Sequence, residues 1–254
     1  GKPGWGENMA FVSTLVNTYG GRWFDEEWNP ELNSEAWVNA IQFYVDLLND
    51  YGPPGASSNG FNENLALFSR GNCAMWVDAT SAAGKLYDGN ESDVADSLGF
   101  APAPIAKTPK GSHWLWSWAL AIPASSENQE AAREFITWAT SQEYIELVGE
   151  TQGWTSVPPG TRESTYANEQ YTEAAPFADF VLKAIQDADP TDSTLEPNPY
   201  VGVQFVGIPE FQSIGTQVGQ TIAAALTGDT TVEQALDSAQ RATERTMQRA
   251  GYLD

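Results

Sequence analysis

One cysteine and one histidine stand in a chain of 254 residues. A lone cysteine excludes an intramolecular disulfide and offers no thiol-rich metal site. With a single histidine, most zinc sets and Cys–His nucleophile pairs are excluded too. Cys73 lies in the apolar run Cys73-Ala74-Met75-Trp76-Val77 and is expected as a buried structural thiol. Bases are scarce: 12 Lys and Arg face 34 Asp and Glu, a net charge of −22. That balance argues against nucleic acid and anionic membrane surfaces as partners. The acids are scattered, as a soluble surface requires, and lack the focused cluster a cation site would need. No stretch approaches the roughly 18 uninterrupted apolar residues of a membrane-spanning helix. A G-x-S-x-G elbow, a P-loop and a dinucleotide fingerprint are all missing. Carboxylates abound, but no spacing singles out a glycosidase acid and base. No cofactor and no metal are expected.

What the chain has in quantity is aromatic: ten Trp, nine Tyr and eleven Phe, within a 41% hydrophobic composition. This is the make-up of a packed globule rather than a disordered chain. The length allows one large domain or two small ones. The chain opens Gly1-Lys2-Pro3-Gly4-Trp5, with neither an initiator Met nor a signal segment. It reads as processed, or as a piece of something longer.

The aromatics are patterned. In His113-Trp114-Leu115-Trp116-Ser117-Trp118 three tryptophans fall on alternate residues, and Ala119-Leu120-Ala121-Ile122 then runs into Pro123. On a strand those three rings share one face. Flat rings with N–H donors suit a ligand that has both C–H surface and hydroxyls, such as a sugar or sugar alcohol. The competing reading is an aromatic stripe in a core. Three large rings in one register strain an ordinary sheet–helix core, whereas small Ser117, Ala119 and Ala121 on the other face suit helix packing.

Periodicity supplies the rest. Ser34 is placed to cap a helix to about Asp50, with Trp37, Ile41, Tyr44 and Leu48 on one face and Gly52-Pro53-Pro54-Gly55 as its stop. Asn62 is placed to cap a short helix to Arg70, closed by Gly71. Strands are expected at 73–77, 98–101 and 114–122, with a turn and short helix after Asp78. A capping box of Ser126 and Gln129 opens a helix to Ala139 whose inner face carries Ala132, Phe135, Ile136 and Ala139. A second helix holds Tyr144, Ile145 and Val148. Residues 151–165 and 187–200 read as irregular. Pro209 opens a helix through Leu226, and Thr230 with Glu233 boxes a last helix with Val232, Leu236 and Ala239 inside. Helices alternating with short strands favour an α/β layer architecture.

Asp78 follows a strand, with Thr80 and Ser81 opening the next helix. Ligands of open α/β sheets gather at the carboxyl ends of strands. There a carboxylate can accept strong charge-assisted bonds from hydroxyls. The alternative is that Asp78 merely caps the helix. Gly153-Trp154 to Gly160 is a hinge, a rim or a packed connection. Tyr200 to Phe205 offers two aromatics and an amide, and could also be packing.

Several stretches resemble extracellular solute-binding proteins of carbohydrate ABC transporters. They are Phe61-Asn62-Glu63-Asn64-Leu65-Ala66-Leu67-Phe68 with Gly71-Asn72-Cys73-Ala74-Met75-Trp76; Trp118 to Pro123 followed by Ala131 to Ile136; and Thr231 to Leu236. The sorbitol/mannitol-binding subgroup is similar at Asn17 to Asp25, Gly111 to Trp116, Gly153-Trp154 with Val157 to Arg162, and Gly202 to Phe211. The resemblance implies an α/β, periplasmic-binding-protein-like fold of type II, two lobes about a hinge. It implies an N-terminal lobe that begins well over a hundred residues before Gly1. The chain would then hold mostly the C-terminal lobe (1–112 and 161–254), with 113–160 as hinge strand and helices packing on the other lobe.

By position, the resemblance carries over Asn8 and Met9 as a cleft segment, Asp78, Thr80 and Ser81 as a ligand-contacting turn, and Trp116 and Trp118 as the hinge-proximal strand. Trp23, Tyr200, Gln204 and Phe205 are further candidates. The implied function is capture of a polyol or small sugar, without bond-making, for a membrane ABC permease. The protein is then exported, periplasmic or extracellular, and monomeric. Two other classes remain: a glycosidase with a Trp-lined subsite, which needs two carboxylates about 5–10 Å apart, and a carbohydrate-binding module, which predicts a β-sandwich.

Overall fold

Apolar spacing of three and four turns just under half of this chain into α-helices, and the computed structural model describes residues 1–160 and 162–254. The helices are α1 (Asn8–Thr18), α2 (Glu35–Tyr51), α3 (Phe61–Ser69), α4 (Ala83–Tyr87), α5 (Gln129–Ala139), α6 (Gln142–Gln152), α7 (Glu163–Tyr166), α8 (Glu169–Ala174), α9 (Ala178–Asp187), α10 (Phe211–Leu226) and α11 (Val232–Ala250). Thr161, within the Pro-rich motif 157–162, lies outside the described residues.

Two apolar cores organise them. The first joins α1, α2, α10 and α11 through Met9, Val12, Trp37, Ile41, Ile214, Val218, Ile222, Leu236 and Met247, with Trp23, Phe24 and Tyr200 from the connections. The face expected for α2 is buried at Trp37, Ile41 and Tyr44. α11 is amphipathic along Val232, Leu236, Ala239, Thr243 and Met247. The second core is built from Val157, Tyr166, Tyr171, Phe177 and Val181, with Tyr87, Ile145, Val148 and Trp154 packed against it. It therefore draws on α4, α6, α7, α8 and α9, and the boundaries expected at 112 and 160 run through it.

Helix ends differ from expectation by local chemistry. α3 is capped at Gly60, not Asn62, because the Glu63 carboxylate reaches back to accept from the Gly60 N–H at 2.9 Å. α11 uses Thr231 and Gln234, one residue later than expected, with the Gln234 N–H donating to Thr231 Oγ1 at 3.2 Å. α10 begins after Pro209, with Glu210 at its cap position. α5 starts at Gln129, and Ser126 instead accepts from the Asn128 N–H at 3.2 Å. α1 and α7 to α9 had no counterpart in the periodicity reading. α1 is buried on several sides, at Asn8, Met9, Ala10 and Thr14 alike, so it has no exposed polar face to mark its period.

The expected strands at 73–77, 98–101 and 114–122 form no ladder among the described residues, where one isolated bridge, Phe24 with Pro30, is the only pairing. A strand needs a neighbour to take its N–H and C=O groups. Without one these segments lie open: Met75 is 85% exposed and Cys73 is half-buried rather than buried. On the face of α5 expected inside, none of the residues is fully buried: Phe135 is 58% exposed, and Ala132, Ile136 and Ala139 are half-buried.

Candidate functional site

The three tryptophans do share a face. Trp114 and Trp116 have ring centroids 5.7 Å apart, and Trp116 and Trp118 5.8 Å. The turn before them needs Gly111, whose φ is +64° and whose missing Cβ would run into the Ser193 carbonyl and Asn17 Nδ2. Behind the row, the Gln204 side chain pairs with one residue of it: Leu115 N–H donates to Oε1 and Nε2 donates to the Leu115 carbonyl, both at 3.1 Å. Phe205 then sets its ring edge-on to Trp116 at 4.8 Å. Trp5 closes the group, stacked on Trp116 at 6.4 Å with planes 16° apart and 5.1 Å from Phe205. The result is a wall of rings that ends in Trp118, 87% exposed.

The segment Gly4 to Asn8 connects this wall to a carboxylate. The Cβ position of Gly6 lies 3.2 Å from the Trp116 ring. Glu7 pairs with Lys2 at 3.0 Å and lies close enough to Asp78 to act on its titration. Asp78 accepts a 2.7 Å bond from the Ala79 N–H, and Ala79, not Asp78, is the cap residue of the turn Thr80–Ala82 that leads into α4. The helix-cap reading of Asp78 is thereby set aside. Burial raises the Asp78 pKa to about 6; the Ala79 N–H and the neighbouring Trp76 indole oppose this, and the Glu7 carboxylate adds to it.

Asp78 holds its proton more tightly folded than unfolded, so its contribution to stability is lost as pH rises from about 4 to about 6. A ligand that donates hydroxyls to the carboxylate shows the reverse trend, binding several-fold tighter at about pH 7 than at about pH 5. Titration calorimetry across that range on wild type and Asp78→Asn checks this; a slope that survives in Asp78→Asn assigns the pH dependence elsewhere.

The other expected site residues divide. Trp116, Trp118 and Phe205 belong to the wall; Thr80 and Ser81 are exposed beside Asp78. Trp23 is 2% exposed between Trp37 and Phe211, and its Nε1 donates to Ser13. Tyr200 is buried, its hydroxyl accepting from the Trp23 N–H at 3.1 Å. Met9 lies in the first core. Asn8 is buried and ties the chain to α10: Oδ1 accepts from Gly4 N–H at 3.1 Å and Nδ2 donates to the Gly219 carbonyl at 2.9 Å. Trp23, Tyr200, Met9 and Asn8 are therefore placed as packing, away from open surface. Trp5 and Glu7 were missed; Trp5 sits between Gly4 and Gly6 in sequence, a bare ring on flexible backbone that carries no periodic signal. The described surface also has an open hollow of about 430 Å³ over α5 and α6 and one of about 500 Å³ by the C-terminus, neither lined by these residues. No group of acidic, His or Cys side chains among the described residues is placed to hold a metal.

A family model described as bacterial extracellular solute-binding protein matches residues 1–146, more than half of the chain. The chain belongs to this family. It is 58% identical over 252 residues to a mannitol-binding protein of Pseudomonas aeruginosa, covering 99% of this chain and 58% of that protein. A solute-binding protein of an ABC transporter from Agrobacterium vitis, solved with bound D-mannitol, superposes with a TM-score of 0.97 at 58% identity, covering 99% of this chain and 60% of that one. One from Agrobacterium radiobacter in complex with ribitol superposes at 0.80 with 24% identity, covering 97% of this chain and 58% of that one, and speaks for the fold. The chain thus spans about three-fifths of the length of these relatives. Its fold is the α/β type II periplasmic-binding-protein fold, although the described residues carry no ladder of their own. These relatives are binding proteins, and neither the glycosidase nor the β-sandwich module finds support among them.

Proposed function

We propose that this protein is the substrate-binding component of an ABC importer and captures a linear sugar alcohol of the mannitol and sorbitol kind. The observation that carries the reading is a half-open wall of Trp116, Trp118, Trp5 and Phe205, with the Asp78 carboxylate close enough to Glu7, two residues along the chain from Trp5, to feel its charge. Ring faces pack on the C–H edges of the polyol while the carboxylate and the Thr80 and Ser81 hydroxyls meet its hydroxyls. The 58% identity to a mannitol-binding protein agrees with that chemistry. The exported protein works as a monomer outside the cytoplasm, and its partner is a membrane permease. Binding closes two lobes by hinge motion, with the importer responding to the closed state.

The first core belongs to one lobe. The segment 113–160 supplies the hinge strand and helices that pack on the other, a reading supported by the exposed Phe135 of α5. The second core unites residues 83–87 with 145–185, so we assign these to the same side as α5 and α6.

A thermal-shift screen of the full-length protein against hexitols, pentitols and hexoses tests the reading. A polyol at about 100 times its Kd is expected to stabilise by ~2.7 kcal/mol. Silence across all polyols overturns it.

A further inference from the structure

We propose that Gln204 is a positioning residue: its side-chain amide stands in for a neighbouring strand at Leu115 and thereby sets which way the tryptophan wall faces. This rests on the polyol-binding reading for its purpose, but not for its geometry. The segment 114–122 has no ladder partner among the described residues. Gln204 supplies one acceptor and one donor to a single residue, at 3.1 Å each, as the hydrogen-bonded pair of an antiparallel ladder does. The amide can point only one way and satisfy both groups. In a strand-like segment the N–H and C=O of one residue point to the same side, and the side chains before and after it project together from the perpendicular face. Holding Leu115 by both groups therefore orients Trp114 and Trp116 as a pair.

The clamp is itself rigid. Gln204 is 2% exposed, and a buried amide side chain gains most when all its groups are satisfied. On one side of it, Asn17 on α1 donates through Nδ2 to the Val203 carbonyl at 3.0 Å and to the Gly111 carbonyl at 3.3 Å. One asparagine thus ties the residue before Gln204 to the turn that starts the tryptophan segment. On the other side, Phe205 is pressed edge-on against Trp116. Two amides of α1 and of the 203–205 connection hold the wall to the first core at both ends of the 111–115 stretch.

The test uses the full-length protein and two variants. Gln204→Met keeps the side chain's length and removes both bonds. Gln204→Glu keeps the shape; as a carboxylate it cannot donate, but as a protonated acid it has one O–H donor and one C=O acceptor where the amide had its own. Amide hydrogen exchange at Leu115 reads the bond, and calorimetric titration with D-mannitol reads the wall. Gln204→Met is expected to lose at least tenfold of the protection at Leu115 and to bind mannitol about fivefold more weakly. At about pH 8 the Gln204→Glu carboxylate still accepts from the Leu115 N–H but sets its second oxygen against the Leu115 carbonyl, so it should bind mannitol as weakly as Gln204→Met while keeping more of the protection, and regain affinity, relative to wild type, at about pH 5. Wild-type protection in Gln204→Met, unchanged mannitol affinity despite lost protection, or a Gln204→Glu that gains nothing on acidification each overturns the proposal. If Gln204→Met does not fold, the acid rescue of Gln204→Glu decides alone. Wild-type protein that ignores mannitol sinks the polyol reading, while the exchange data still judge the clamp.

Discussion

Trp23→Ala lowers the unfolding free energy by about 3–5 kcal/mol, the range for removing a large aromatic from a packed core. Trp23 is 2% exposed and set edge-on to two rings, Trp37 at 4.9 Å and Phe211 at 5.1 Å. Those contacts join α2 to α10 through a residue that belongs to neither. The truncation leaves a void bounded by rigid rings that cannot collapse into it, and strands the Ser13 hydroxyl that accepts from the Trp23 indole at 3.2 Å. A domain is stable by only about 5–15 kcal/mol, so a loss of this size is a large part of the total. Urea unfolding of wild type and variant measures it. Trp23 was also expected as a ligand contact; a loss under about 1 kcal/mol together with a fall in polyol affinity would return it to that role.

Trp116→Ala weakens polyol binding at least tenfold, ~1.4 kcal/mol or more. Trp116 is the hub of the wall. Its ring meets Trp5, Trp114, Trp118 and Phe205, at centroid distances of 6.4, 5.7, 5.8 and 4.8 Å. Deleting the hub removes one ring face from the ligand and frees four others to rotate, so the remaining surface must be ordered again at each binding event. Trp116→Phe keeps a face and part of the contacts, and should retain most of the affinity. Titration calorimetry on the full-length protein decides: unchanged affinity in Trp116→Ala makes the residue packing for Trp5 and Phe205 and moves the ligand elsewhere.

The two substitutions separate tryptophans that are alike in sequence. Trp23 and Trp116 both sit in aromatic surroundings and both were site candidates. Alternation marked Trp116, because a period of two is a local property and survives in the ring spacing. Nothing local marked Trp23 as core, since its neighbours Trp37, Phe211 and Tyr200 come from three distant stretches. Asn8, Tyr200 and Gln204 follow the same rule. Each offers hydroxyl or amide chemistry suited to a polyol, and each spends it on a backbone group far along the chain.

Helices were legible where one face is wet. α2, α10 and α11 show their periods, whereas α1 is hidden because several of its faces are buried. The strands at 73–77 and 114–122 were legible as patterns, but a strand is completed by its neighbour, and none of the described residues provides one.

By itself the sequence determined the shared face of Trp114, Trp116 and Trp118, the amphipathic helices and the family. These depend on composition, short-range spacing and motif order, which need no long-range contact. Only the tertiary structure decided that Trp5 stacks on Trp116, that Gln204 holds Leu115, that Trp23 is core, and that burial lifts the Asp78 pKa to about 6. Each of those depends on which distant residues exclude water from one another, and that is settled by packing rather than by neighbours in the chain.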